Sequence, residues 1–136
     1  MITQTAESQS DLLPEEIISI LKEGNKRFIN KRQVDRDLIK QVLDTSSGQF
    51  PFAVVISCID SRVPPEIIFD QGIGDIFSIR VAGNVINKDV LGSVEFACKI
   101  AGVKLIVVMG HTSCGAVKGA CNEVELGNLT VLLNKI

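Results

Sequence analysis

Residues 52–56 and 103–109 are apolar runs of strand length, residues 76–81 (Ile-Phe-Ser-Ile-Arg-Val) are a strand candidate between them, and stretches of helical spacing alternate with all three. The first reads Phe-Ala-Val-Val-Ile, and the third is apolar throughout except at Lys104. A strand with one wet face alternates apolar and polar residues, so unbroken runs belong to strands covered on both faces. Strands of that kind, separated by helices, specify an α/β fold with a mostly parallel β-sheet flanked by helices. The chain has 136 residues, 46% of them hydrophobic, which is enough for one domain with its own core. No internal repeat, low-complexity stretch or second domain is visible.

The helices can be placed by their apolar stripes. Residues 12–30 carry Ile17, Ile20, Leu21 and Phe28 on one stripe, with Pro14, Glu15 and Glu16 suited to the first turn. Gly24-Asn25 is a weak point at which this helix could bend. A short helix is expected around residues 38–43, followed by a loop at Ser46-Ser47-Gly48. Residues 89–101 form the next helix, with Asp89 as N-cap, Leu91, Val94, Ala97 and Cys98 as its stripe, and Gly102 as its end. Further helices are expected over residues 115–125 and from 129 to 136. Residues 1–11 read as a flexible N-terminus, which leaves 12–136 as the folded domain. The first ten residues carry no Lys or Arg and form neither a secretory signal nor a transit peptide, so the cytoplasm is the expected location. A net charge of −2 gives no electrostatic footprint for nucleic acid, and no apolar run is long enough to span a membrane.

Two short blocks carry the chemistry. Residues 58–62 read Cys-Ile-Asp-Ser-Arg and residues 110–115 read Gly-His-Thr-Ser-Cys-Gly. Each follows an apolar strand directly. In an open parallel sheet the carboxyl ends of the strands share one edge, and ligands gather where the strand order reverses. Neighbouring strands would therefore bring Cys58, His111 and Cys114 together. Two thiols and one imidazole suit zinc and leave one tetrahedral position vacant, as in catalytic sites. Asp60 could take that position itself, or Arg62 could hold it off by a bidentate pair so that it accepts a hydrogen bond from metal-bound water. Zinc with two thiolates has a net charge near zero and acidifies water less than an all-imidazole site, so activity should rise toward alkaline pH. Cys98 and Cys121 lie on helices and are read as small apolar packing. Gly72-Ile73-Gly74 lacks the third glycine of a dinucleotide loop and is rejected as one.

With these blocks in place, the chain resembles the β-class carbonic anhydrases from about Pro14 to Ile136. The resemblance also rests on Gly24-Asn25-Lys26-Arg27-Phe28, Val63-Pro64-Pro65-Glu66, Gly74-Asp75 and Arg80-Val81-Ala82-Gly83-Asn84. It implies reversible hydration of carbon dioxide to bicarbonate and a proton, with Zn2+ on Cys58, His111 and Cys114 and the Asp60–Arg62 dyad beside it. It further implies substrate contacts from Gln49, Phe77, Ala82, Phe96 and the N–H of Gly115, and a homodimer, or an assembly of dimers, with the pocket at the dimer interface. Phe96 stands where many members carry Tyr. Some members close the site through the aspartate under control of a Trp, Arg and Tyr pocket; here Arg80 meets the Arg position, Val55 replaces the Trp and no Tyr exists, so the open form is expected near neutral pH. His111 is the only histidine, so no second imidazole is left to shuttle protons. Members usually continue beyond the point where this chain stops. Two alternatives stand beside the leading one: hydrolysis of carbon disulfide or carbonyl sulfide on the same fold, and a truncated zinc-binding domain without catalysis.

Overall fold

The computed structural model describes residues 3–136; Met1 and Ile2, at the start of the segment expected to be flexible, lie outside them. The centre is strand β1 (Ala53–Ser57), all five of whose residues are buried. Strands β2 (Ile76–Arg80) and β3 (Leu105–Met109) pair with it on either side, both parallel, in the order β2-β1-β3. Every strand pairing among the described residues is thus parallel, as expected. Ser57 sits opposite Arg80 on one side and Met109 on the other, so the three strands end level.

Helices cover both faces. Helix α2 (Pro14–Ile29) buries Ile17 and Leu21 against Phe52, Ala53, Val55 and Ile76, with Leu105, Val107 and Met109 packed alongside. On the other face Val54, Ala97 and Val103 form a second cluster with Phe77, Ile79 and Cys98. That cluster draws its helical members, Ala97 and Cys98, from a π turn at Phe96–Ile100 that continues α5 (Lys88–Glu95). It does not reach β3, whose Ile106 and Val108 are 47% and 69% exposed. The third apolar run is therefore covered on one face only, against the expectation of two. An apolar sequence does not reveal whether a helix crosses both sides of an outer strand.

Other elements also depart from the sequence reading. Residues 1–11 were expected to be loose, yet Ala6–Asp11 forms helix α1, capped by the Thr5 hydroxyl. Its buried Gln9 donates from one amide to the carbonyls of Pro51 (2.6 Å) and Ala101 (2.8 Å), tying α1 to the entries of β1 and β3. Gly24 does not bend α2, which is continuous through it. A methyl group there would collide with the Phe69 carbonyl at the end of α4 (Pro65–Ile68), so the glycine serves close approach of two helices. Asn87, not Asp89, caps α5 by accepting from the Val90 N–H, and Val90 rather than Leu91 turns inward. Helices α6 (Gly115–Cys121) and α7 (Gly127–Leu133) are shorter than expected, and Cys121 is exposed instead of packed. Helix α3 (Leu38–Asp44) is capped by Asp37.

One buried ion cluster ties α2 and the segment before α3 to the residues after α4. Asp70 accepts from Arg27 of α2 and from Arg36, and the Val34 N–H also reaches it. Among the described residues no helix is long and apolar enough to cross a membrane.

Candidate metal centre

The strand order reverses between β1 and β3, because the chain moves from β1 to β2 on one side and then crosses to the other. The crevice outside the carboxyl ends at such a reversal is where open α/β sheets bind ligands. Cys58 lies one residue beyond β1, His111 two beyond β3, and Cys114 caps α6. Ser113 takes a left-handed backbone (φ 57), which turns the chain between His111 and Cys114. One ligand atom from each of Cys58, His111 and Cys114 lies within 4.8 Å of the others, so the predicted convergence occurs.

The donors fit a tetrahedral divalent ion. Two sulfurs each about 2.3 Å from zinc at the tetrahedral angle stand about 3.8 Å apart. The Cys58 and Cys114 sulfurs are 3.9 Å apart, nearly twice the length of a disulfide bond, which is about 2.05 Å. The His111 Nδ1 is 2.9 Å from the Thr112 carbonyl oxygen. A carbonyl only accepts, so Nδ1 carries the proton and Nε2 presents a lone pair. That Nε2 is buried and has no hydrogen-bond partner among the described residues, as a nitrogen reserved for a metal would be. Burial pushes the Cys58 thiol pKa up. The backbone N–H groups of Gly83 and Asp60 and the Cys114 thiol outweigh it, and the net shift is downward, toward the thiolate that binds metal.

Asp60 is held on three sides by one residue. The Arg62 N–H and Nε donate to its Oδ1 (both 2.9 Å), and Arg62 Nη2 donates to its Oδ2 (2.7 Å). The same Nη2 reaches the Ser113 carbonyl at 3.3 Å, linking the two sequence blocks. The side-chain bonds from Arg62, then its backbone N–H, keep the Asp60 carboxyl well below the usual carboxylate range. Its Oδ2 stands 3.9 Å from His111 Nδ1, beyond hydrogen-bond distance. The carboxylate is thus anionic and fastened to arginine.

The carbonic anhydrase family model matches residues 53–136, the stretch that contains the whole sheet and all five of these side chains. The chain belongs to the β-class carbonic anhydrase family. Carbonic anhydrase 2 of Mycobacterium tuberculosis is 50% identical over 110 residues, covering 80% of this chain and 53% of that protein. The carbonic anhydrase of Mycolicibacterium smegmatis is 46% identical over the same shares. Among solved structures, the β-carbonic anhydrase CafA of Aspergillus fumigatus superposes with a TM-score of 0.65 at 33% identity, over 87% of this chain and 57% of that one. The chain spans about half the length of the curated relatives it matches.

Not every residue that the β-carbonic anhydrase resemblance singles out lies beside the cluster. A cavity of about 390 Å³ opens next to it, lined by Cys58, Asp60, Ala82 and Gly115 and walled by Val124, Leu129 and Leu133. Ala82 and Gly115 are therefore at the centre. Gln49 lines a separate polar groove with Ser46, Ser47 and Ile73. Phe77 and Phe96 line a third cavity of about 580 Å³, their rings edge to face with centroids 6.4 Å apart. The Val124, Leu129 and Leu133 wall was missed in the sequence. Its signal is the apolar spacing of these residues, of which Val124 falls in the helix expected over residues 115–125 and Leu129 and Leu133 in the one expected from 129 to 136.

Proposed function

We propose that this chain catalyses the zinc-dependent, reversible hydration of carbon dioxide to bicarbonate and a proton. The observation that carries the reading is the buried, unpartnered Nε2 of His111, grouped with two sulfurs at the rim of a mostly apolar cavity. Cys58, His111 and Cys114 would hold Zn2+, which when bound supplies a Lewis acid that lowers the pKa of water. Arg62 keeps Asp60 anionic and aimed, so that Asp60 accepts a hydrogen bond from the attacking water and fixes its lone pair toward substrate. Carbon dioxide has no net dipole and needs little polar recognition. Ala82, Val124, Leu129 and Leu133 give it an apolar slot, and the Gly115 N–H is available to the bicarbonate oxygen. The proton leaves through Asp60, water or buffer, since the one histidine is committed to metal.

Gln49, Phe77 and Phe96 enter this reading through a homodimer, in which a second copy would bring them against the slot. The exposed apolar residues Phe96, Ile106 and Val108 support an interface of that kind. Four free thiols suit a reducing compartment, and the cytoplasm is the proposed location.

The test is one purified sample measured for zinc per chain and for carbon dioxide hydration from about pH 6.5 to 9. Zinc near one per chain with a rate that climbs toward the alkaline end is the expected result. Stoichiometric zinc without hydration would overturn the catalytic reading, and a profile flat into acid would overturn the charge argument for two thiolates.

A further inference from the structure

The segment leaving β2, residues 80–84, supplies no ligand yet touches the centre at several points. Arg80 is the last residue of β2 and lies opposite Ser57. Its Nε donates to the Cys58 carbonyl at 2.9 Å and its Nη2 to the Asp60 carbonyl at 2.6 Å. One planar guanidinium thus spans the stretch of backbone between a metal ligand and the dyad carboxylate. Two residues further on, the Gly83 N–H points at the Cys58 sulfur, 3.4 Å away. Asn84 then reaches across and donates from Nδ2 to the Met109 carbonyl at 2.8 Å, two residues before His111. Gly83 and Asn84 both take left-handed backbone (φ 63 and 56), which coils the segment over the end of β1.

We propose that Arg80 and Asn84 are positioning residues that clamp the metal centre, Arg80 on the β1 side and Asn84 on the β3 side. The proposal rests on the zinc reading above. Beyond the last ladder pair, strand-end carbonyls lose their regular partners. Rotation of the peptide after Cys58 would swing Asp60 away from the ligands, and a drift of the β3 end would separate the imidazole from the Cys58 sulfur. Arg80 prevents the first movement because its fork fixes two carbonyls at once, which a lysine, with a compact charge on a flexible stem, cannot do in the same geometry. Asn84 prevents the second because it ties the exit of β2 to the exit of β3 across β1. Groups that hold ligands without touching metal alter metal affinity by roughly 10–100-fold when removed.

The test compares Arg80→Gln, Arg80→Lys and Asn84→Gly, the last of which removes the amide and tolerates the left-handed backbone. Arg27→Lys, at the remote Asp70 cluster, is the control for general loss of stability. Zinc affinity is measured by competition with a chelator, geometry by the visible spectrum of the cobalt(II)-loaded protein, and stability by the thermal midpoint of the metal-free chain. Arg80→Gln and Asn84→Gly should weaken zinc roughly 10–100-fold and change the cobalt bands, with Arg80→Lys only partly rescuing. Arg27→Lys should lower the midpoint and leave both metal readouts unchanged. Unchanged affinity and spectrum in the Arg80 and Asn84 variants would overturn the clamp, and so would an equal metal defect in Arg27→Lys. Full rescue by Arg80→Lys would overturn the role of the fork. If Arg80→Gln does not fold, Arg80→Lys and Asn84→Gly decide. A wild-type chain that takes up neither metal would sink the zinc reading itself, a result distinct from wild-type binding with unaffected variants.

Discussion

Replacing Asp60 by Asn separates what Asp60 does chemically from where it sits. The amide oxygen can occupy the Oδ1 place and keep the bonds from the Arg62 N–H and Nε, both 2.9 Å in the native chain. The amide nitrogen then faces Arg62 Nη2, a donor against a donor, where Oδ2 accepted at 2.7 Å. Two of three bonds survive, so the side chain stays near its native place and Cys58, His111 and Cys114 are undisturbed. What is lost is the anion proposed to orient water and take its proton. Positioned acid–base groups contribute roughly 10²–10⁴-fold, and that is the expected fall in kcat at unchanged zinc content. The pH dependence follows from the sign of the shift. Arg62 holds the Asp60 pKa below the ordinary carboxylate value, so the carboxylate is charged at every pH above the usual range of about 4. Wild type and variant should therefore rise in parallel from about pH 6.5 to 9, with no convergence at the acid end. Stopped-flow hydration with metal analysis of the same samples reads both quantities. A zinc-replete variant within threefold of wild type, or a gap that closes toward acid, would refute the assigned role.

Cys58→Ser should abolish zinc binding and hydration together, because a hydroxyl is a far weaker zinc ligand than a thiolate; zinc analysis after gel filtration checks it. Gly24→Ala sets a helix-propensity gain of about 1 kcal/mol against forced overpacking on the Phe69 carbonyl of about 1–3 kcal/mol or more. Net destabilisation in urea unfolding is expected, and a stabilised variant would show that α2 and α4 can part freely. Asp70→Asn removes the charge shared by two guanidiniums and sets an amide N–H donor against one of them; it should cost about 3 kcal/mol, the low end of the range for a broken buried pair because Arg27 stays partly exposed. Burial raises the Asp70 pKa, but Arg27 and Arg36 outweigh it and the net shift is downward. Its contribution is therefore present above the unfolded carboxylate value of about 4 and is lost as pH falls through the lower folded value, so wild type and variant should converge in acid.

The sheet was legible where burial is symmetrical and less so at its margin. Residues 53–57 are buried throughout because α2 and α5 cover opposite faces, and an unbroken apolar run records that. Residues 105–109 look the same in sequence, but α5 stops short of them and Ile106 and Val108 remain open. Helix α1 left no apolar trace. Its sequence, AESQSD, is held through a glutamine bonding to carbonyls 42 and 92 residues away, a relation that local periodicity cannot carry. The convergence of Cys58, His111 and Cys114 was readable because the two blocks that carry them each follow a strand, so it needs only adjacent strands. The roles expected of Gln49, Phe77 and Phe96 depend on how a second molecule sits, which no pattern within one chain specifies. Gly24 misled because a glycine that permits contact and one that permits bending look alike in sequence.

The three donors do not share equal footing. Cys58 hangs from the middle strand, paired on both sides, whose amides should be among the slowest in the molecule to exchange hydrogen for deuterium. His111 and Cys114 hang from an outer strand with one neighbour in the described sheet and a part-open face. Transient opening should therefore begin at β3 and carry the imidazole and one sulfur away while the other sulfur stays put. The off-rate of a metal held by such a centre would track the fraying of β3 instead of global unfolding.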